Sequence, residues 1–161
     1  MNKHIGMKLI MQPDGISCGN TCLKMVFEHL DIHKSVSIPE IVKVCGTNSA
    51  HGTRHIEMSK GLKFYNIPFR RTPLLNIDNS GKQLDYLDTI LKNDNVFLLR
   101  TLTHNIFHWV IVTGKTESRY HINDPWLGSI TYTCDEVINI WKPRNYDGFE
   151  ILLNNSSGSL N

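Results

Sequence analysis

The stretch around which this chain is organised reads QPDGISCGNTCLKMV and occupies residues 12–26. A turn sequence at residues 12–15 leads into a segment from Ser17 to Leu30 whose apolar residues recur at spacings of three, four and seven. That spacing marks one face of an α-helix, and serine is a common N-cap residue. The apolar positions are Cys22, Leu23, Val26, Phe27 and Leu30. The sequence therefore predicts a turn followed by a helix, with Cys18 just inside the helix start.

Cys18 is the first candidate for chemistry. A thiol at a helix N-terminus feels the positive end of the helix dipole, which favours the nucleophilic thiolate. Gly19 has no side chain, so we expect a substrate backbone to approach the sulfur closely. The alternative role, a small core residue, is the commoner one for cysteine. We assign that core role to Cys22, which lies on the apolar face of the same helix.

The remaining pattern indicates an α+β domain. A short strand is predicted at residues 8–11, and further helices at residues 39–45, 53–61, 84–92 and 133–140. A capping-box pattern of Ser37 with Glu40 precedes the second helix, and Gly46 is a natural stop for it. Strands are predicted at residues 96–102, 109–113, 120–123, 130–133 and 149–153, with turns at Gly114 and at residues 125–128. A helical first half therefore packs on an antiparallel second half, and clefts form at such interfaces.

Composition excludes several classes of protein. The 161 residues are 40% hydrophobic and 20% charged, which is typical of one folded domain, and 17 basic minus 15 acidic residues leave a net charge of only +2. The basic residues are scattered, so no nucleic-acid partner is expected. Four irregularly spaced cysteines do not form a disulfide framework.

With no signal peptide and no run of about 20 apolar residues, we expect a cytoplasmic protein without a membrane span. Residues 1–153 are predicted to form the domain and 154–161, NNSSGSLN, a polar flexible tail.

His108 and Asp124 are the candidate partners of Cys18. His108 begins the apolar run HWVIV, so it is expected at the mouth of a strand, and Asp124 is expected just after the next strand. If these strands are antiparallel neighbours joined through Gly114, the imidazole and the carboxylate meet, and the other ring nitrogen faces the thiol. The alternatives are a solvated histidine, one of eight in the chain, and an ordinary turn aspartate before proline.

Taken together, these segments resemble the bacteriocin-processing, double-glycine-cleaving peptidases, which are papain-like cysteine peptidases. That family places a glutamine six positions before its cysteine, as Gln12 and Cys18 stand here. It then has a strand similar to HWVIVTG (residues 108–114) and a D-P-x-x-G turn, matched by residues 124–128. A short helix, a tryptophan at Trp141 and a closing strand complete the resemblance, which runs from about residue 8 to residue 153.

The resemblance implies a papain-like α+β fold and a site of four residues. Cys18 would be the nucleophile, His108 its general base and later general acid, and Asp124 the residue that orients His108. Gln12 would donate a side-chain N–H to the oxyanion beside the backbone N–H of Cys18. The reaction would be hydrolysis of a bond in a peptide or protein substrate, with a narrow subsite for glycine and no metal or cofactor.

Two departures from the family leave alternatives open. The family usually has an acidic residue where this chain has Ser17, and many relatives are the N-terminal part of a longer exporter, so we expect this chain not to encode export. The alternatives are a non-catalytic papain-like module that binds a peptide or protein, and a related acyl transferase or deamidase with the same triad. A zinc set of Cys45, His51 and His55 with Cys18 and Cys22 lacks the usual ligand spacing and is not favoured. The sequence predicts no oligomeric state.

Overall fold

The computed structural model describes residues 1–72 and 79–155. Over those ranges the chain forms five α-helices and seven β-strands. The helices are α1 (Cys18–Leu30), α2 (Ile38–Cys45), α3 (His55–Phe64), α4 (Ser80–Lys92) and α5 (Cys134–Trp141). The strands are β1 (Asn2–His4), β2 (Phe69–Arg71), β3 (Val96–Thr103), β4 (Ile106–Thr116), β5 (Arg119–Asp124), β6 (Gly128–Thr133) and β7 (Gly148–Ile151).

All seven strands belong to one antiparallel sheet. The strand order is β2-β7-β3-β4-β5-β6, and β1 pairs with the far end of β4. Three consecutive strands, β4, β5 and β6, are joined by short turns, so each pairs with its neighbour in sequence. This meander places the first residues of β4 and the last residues of β5 at the same end of the sheet.

Helices cover both faces of this sheet. Val96 and Leu98 of β3 pack with α1, α2 and α3. Phe97 and Leu99, which alternate with them along the strand, pack with α4 and α5 on the opposite face. Side chains alternate along a strand, so the unbroken apolar run of β3 is what a strand buried on both faces requires. The predicted α+β class is confirmed, and the structure adds that α4 and α5 lie on the face opposite the first three helices.

The predicted helices are all present. The α2 helix begins with the predicted capping box of Ser37 and Glu40 and ends at Gly46, whose φ of 79° lies in the left-handed region that glycine favours. The α5 helix has the same capping box, formed by Thr133 and Glu136. The α3 and α4 helices extend beyond the predicted ranges by three or four residues at one end. Local capping chemistry therefore fixes these starts, as the sequence pattern indicates.

Two local predictions were wrong. Residues 8–11 form no strand, and the first strand is instead β1, at the N-terminus. Gly114 lies within β4 beside a bulge, not in a turn, because the turn to β5 comes after Thr116. A Cβ at Gly114 would overlap the backbone of Lys3, since β1 approaches β4 closely there. The glycine is thus required by the packing of two strands.

The predicted C-terminal tail starts beside a short 3-10 turn, Leu153–Asn155, and the rest of it, residues 156–161, lies outside the described residues. The limit at residue 153 stays a prediction. Of the helices in residues 1–72 and 79–155, none has the length and apolar character needed to cross a membrane.

Candidate active site

Cys18 is the first residue of α1 and lines a cleft of about 580 Å³. Its side chain is buried except for a small fraction. Ser17 occupies the N-cap position, but its side chain makes no capping hydrogen bond, since its backbone lies outside the extended region that directs such a cap. The carboxylate of Asp14 accepts hydrogen bonds instead from the N–H groups of Ile16 and Ser17, at 3.0 and 2.9 Å. A carboxylate therefore holds this helix start although Ser17 itself is uncharged.

His108 and Asp124 form a direct pair. Nε2 of His108 lies 2.7 Å from Oδ1 of Asp124. His108 is the third residue of β4 and Asp124 the last of β5. The predicted position of His108 at a strand mouth was therefore wrong by two residues, and that of Asp124 just after a strand by one. The meander still brings the two together, because Ile111 of β4 pairs with Asn123 of β5.

His108 and Cys18 line the same cleft. Burial by itself lowers the pKa of His108, but hydrogen bonds to Asp124 and to Cys18, and the negative charge on both, raise it to about 9. Since Nε2 is taken by Asp124, Nδ1 is the ring nitrogen that remains for the sulfur. At neutral pH this environment favours the imidazolium form, with one N–H toward each partner.

Asp124 is buried and held ionised. Its side chain is 5% exposed, and its Oδ1 also accepts hydrogen bonds from the N–H groups of Trp126 and Leu127 at 2.8 and 3.1 Å. Burial raises the pKa of Asp124, but the hydrogen bond and charge of His108 and these two backbone donors outweigh it and lower the pKa below 3.8. The turn that supplies the donors ends at Gly128, whose φ of 101° suits only glycine. The D-P-W-L-G sequence thus fixes the carboxylate that faces His108.

Gln12 lies beside these residues but points elsewhere. Its Nε2 donates to the carbonyl oxygen of Asp14 at 2.6 Å, and its backbone N–H donates to the carbonyl oxygen of Pro125 at 2.8 Å. It lines a depression with Trp126, next to the cleft that holds Cys18. The structure therefore brings Cys18, His108 and Asp124 together, while the Gln12 amide is engaged with its own turn.

Sequence reasoning missed the residues that fix one wall of the cleft. Asn20, Thr47 and Thr53 form a buried triangle of hydrogen bonds, with Asn20 Nδ2 donating to Thr47 Oγ1 at 3.0 Å and the two threonine hydroxyls 2.7 Å apart. The indole N–H of Trp109 donates to the carbonyl of Thr53 at 2.6 Å. This triangle joins α1 to the loop at residues 47–53. The polar Asn20, in the first turn of α1, was the available signal.

Gly19 has a different role from the predicted one. It is buried, and a Cβ there would lie 2.9 to 3.2 Å from side-chain atoms of Met58, Trp109 and Thr53. The glycine lets α1 pack against the cleft wall, rather than leaving space for a substrate.

The other cysteines and histidines lie away from this arrangement. All four thiols are free. Cys22 is fully buried, and burial raises its pKa well above the ordinary value, while burial raises that of Cys45 to about 11. His121 hydrogen-bonds the hydroxyl of Thr116 instead of approaching Cys18. Among the residues that the structure describes, no group of three His, Cys, Asp or Glu side chains is placed to hold a metal ion.

Comparison with known proteins extends over most of the chain. The sequence profile described as the Peptidase C39 family matches residues 6–146. Among curated proteins, no sequence is significantly similar. The peptidase domain of Streptococcus ComA, a bi-functional ABC transporter involved in a quorum sensing pathway, is 20% identical, with 90% of this chain and 96% of that chain covered at a TM-score of 0.68. The same domain of Streptococcus mutans ComA is 17% identical, with 89% and 98% covered at a TM-score of 0.62.

A third solved structure holds a bound peptide. It is a double glycine motif protease from an AMS/PCAT transporter in complex with the leader peptide. It is 16% identical to this chain, with 94% of this chain and 98% of that chain covered at a TM-score of 0.67. At such low identities, the likeness to all three structures establishes a shared fold.

Proposed function

The chain belongs to the peptidase C39 family, and from that premise we propose that it is a cysteine peptidase of the double-glycine type. Cys18 is the nucleophile, His108 the general acid and base, and Asp124 the residue that orients His108. One observation carries this assignment: Nε2 of His108 lies 2.7 Å from Oδ1 of Asp124, and His108 lines the same cleft as Cys18. A nucleophile, a base and an orienting carboxylate in a chain of contacts are the parts that acyl transfer needs.

The resting enzyme is a thiolate–imidazolium pair. The pKa of about 9 at His108 keeps the ring protonated at neutral pH, and the N-terminus of α1 stabilises negative charge at Cys18. The thiolate attacks the carbonyl carbon of a peptide bond, which forms a C–S bond and an oxyanion. Collapse of this intermediate breaks the C–N bond, and the His108 imidazolium gives its proton to the leaving amine.

Hydrolysis then restores the pair. Neutral His108 takes a proton from water, and the resulting hydroxide attacks the thioester carbonyl. The C–S bond breaks, the new carboxylic acid leaves, and Cys18 and His108 return as thiolate and imidazolium. Asp124 keeps the ring in the required orientation and compensates its charge in both halves of the reaction.

The oxyanion is stabilised by two donors. Cys18 is the first residue of α1, so its backbone N–H lies outside the hydrogen-bond ladder of the helix. The Gln12 amide nitrogen has two hydrogens, and Asp14 accepts only one of them. We assign the second hydrogen to the oxyanion, an assignment that requires the amide to turn toward the cleft when substrate binds.

The substrate is a peptide or protein segment that lies in the cleft and presents glycine before the bond that is cut. An internally quenched peptide with Gly-Gly before its central bond tests the proposal. We expect cleavage after the second glycine, and no cleavage by Cys18→Ala, which removes the sulfur with little change of volume. The matched control is Cys134→Ala, because Cys134 lies on α5, away from the cleft. A Cys18→Ala protein that melts normally and still cleaves the peptide would refute the peptidase.

A further inference from the structure

A second cavity, of about 300 Å³, adjoins the cleft and carries an excess of positive charge. Its ionisable lining consists of Arg71, Arg100, Arg144, His55 and Asp147, a set we call the arginine pocket. Arg100 and Arg144 line both this pocket and the cleft that holds Cys18. The two spaces are therefore adjacent parts of one surface.

The charges in the arginine pocket do not balance. Asp147 is its one carboxylate, with Oδ2 3.0 Å from Arg100 and Oδ1 3.7 Å from Arg71. Burial and the charge of Arg71 lower the pKa of His55, so that ring is neutral at pH 7. Three guanidinium groups thus face one carboxylate. Other arginines with described side chains have an acidic partner of their own: Arg54 pairs with Glu57, Arg70 with Glu150 and Arg119 with Glu136.

Arg144 is the unsatisfied member of the set. Its guanidinium lies over the ring of Phe107, 4.1 Å from the centroid, and its Nε is buried without a hydrogen-bond partner in the described part of the chain. Burial and the charge of Arg100 lower the pKa of Arg144. A second anion in the pocket would relieve this repulsion.

The two shared arginines are held in place by aromatic rings. Arg100 lies 5.5 Å from the ring centroid of Trp109, its partner across the β3–β4 pair, and Trp109 directly follows His108. Stacked guanidinium planes lose little freedom when they bind a carboxylate. The pocket is thus built at a fixed distance from the catalytic histidine.

We propose that the arginine pocket binds an acidic side chain of the peptide substrate, several residues away from the bond that is cut. This inference rests on the proposed function, because it places the rest of the peptide in the cleft beside Cys18. A peptide carboxylate is favoured over a free anion because the pocket shares Arg100 and Arg144 with that cleft.

Binding to the inactive Cys18→Ala protein tests the pocket without requiring cleavage. The probes are fluorescent, otherwise uncharged peptides with a central Gly-Gly and a single Glu placed at successive positions. Each is compared by fluorescence anisotropy with the same peptide carrying Gln. We expect the Glu peptide to bind about tenfold more tightly at one position or at two adjacent ones, as a charge-assisted pair with arginine provides.

Variants of the pocket arginines test whether the preference for Glu comes from this pocket. Arg144→Gln in the Cys18→Ala background should abolish the preference for Glu, and Arg144→Glu should favour a Lys peptide at the same position. The control is Arg119→Gln, an arginine of β5 outside both cavities, which should keep the preference. Arg71→Gln, at an exposed side chain, gives a second and weaker loss if Arg144 variants do not fold.

Three results would overturn the inference: equal binding of Glu and Gln peptides at every position, a preference that survives Arg144→Gln, or a pocket that takes sulfate at constant ionic strength but shows no dependence on the position of Glu. A different result would refute the proposed peptidase activity. In that case the wild-type protein leaves the Gly-Gly peptides intact, while the preference for Glu and its loss in Arg144→Gln remain.

Discussion

The backbone N–H of Gln12 donates a hydrogen bond to the carbonyl oxygen of Pro125 over 2.8 Å. Gln12 leads into α1 and its Cys18, while Pro125 directly follows Asp124. A second bond, from Asn123 Nδ2 to the carbonyl of Met7 at 2.9 Å, runs between the same two segments. Cys18 and the His108–Asp124 pair come from distant parts of the chain, so these two bonds help to hold the helix start at its distance from the sheet.

Alkylation should distinguish Cys18 from the other thiols. With iodoacetamide near pH 7, we expect Cys18 to react about tenfold faster or more, because it lines the cleft at a helix N-terminus beside His108. Cys22 and Cys45 are buried with raised pKa values. Cys134 is also the first residue of a helix, but its sulfur lies 3.9 Å from the carbonyl oxygen of Ser118 and it does not line the cleft. Mass mapping of the labelled peptides measures the four rates. Similar rates at all four cysteines, or fastest labelling of Cys134, would contradict the assigned nucleophile.

Replacing Gln12 should affect turnover without affecting the thiol. Gln12→Ala removes one oxyanion donor, and we expect kcat to fall by about 100-fold or more. Gln12→Glu should be equally slow, because a carboxylate accepts hydrogen bonds and repels the oxyanion. Alkylation of Cys18 should continue at the wild-type rate in both variants. A Gln12→Ala enzyme with unchanged kcat would show that Gln12 only shapes the turn.

The pH profile should depend on Asp124. The His108 imidazolium, with a pKa of about 9, is the proposed proton donor, so kcat/KM should decline as pH rises through about 9. Asp124→Asn removes the charge that raises this pKa, and the alkaline limb should move to lower pH, with a reduced kcat. If the alkaline limb stayed at the same pH in Asp124→Asn, the charge of Asp124 would not be what raises the pKa of His108.

The stability of the folded protein should vary with pH through the same two residues, His108 and Asp124. The pKa of His108 in the folded protein lies above the ordinary value of 6.5. Its contribution to the free energy of unfolding is therefore fully present below pH 6.5 and is lost as pH rises through about 9. The lowered pKa of Asp124 contributes above 3.8 and is lost below it. The difference in melting temperature between wild type and Asp124→Asn should therefore be largest between pH 3.8 and 6.5 and should shrink by pH 9. Asp94→Asn, at an exposed ion pair with Lys3, is the control and should show no such shrinkage.

The packing role of Gly19 predicts a loss of stability. Gly19→Ala places a methyl group against Met58, Trp109 and Thr53, and we expect the free energy of unfolding to fall by about 1–3 kcal/mol. Gly6→Ala is the matched control, since a Cβ there meets nothing within 4 Å. Thermal or urea unfolding measures both. If Gly19→Ala were as stable as Gly6→Ala, the close approach of α1 to the cleft wall would be wrong.

Much of the fold and the chemistry of the candidate site follow from the sequence alone. Local rules placed the helix at Cys18, the capping box at Ser37, and the antiparallel strands, because each depends on residues within a few positions of one another. The resemblance of residues 12–26, 108–114 and 124–128 to the double-glycine peptidases also indicated a thiol peptidase. The helices, the caps and the strands are encoded by neighbours along the chain.

Only the tertiary structure decided how those parts meet. The sequence pattern predicted Gly114 in a turn and Gly19 beside the substrate. In the structure, Gly114 packs against Lys3 and Gly19 packs against Trp109, and this packing is the reason for both glycines. Likewise, the backbone N–H groups just before α1 are bound by the carboxylate of Asp14, while the Ser17 side chain makes no capping hydrogen bond. Nor could the sequence reveal that Arg71, Arg100 and Arg144 line one pocket with Asp147 beside the cleft, because the distances between their elements are set by the sheet and its packed helices. Contacts between residues far apart in sequence depend on the whole packed chain, and a local pattern does not contain that information.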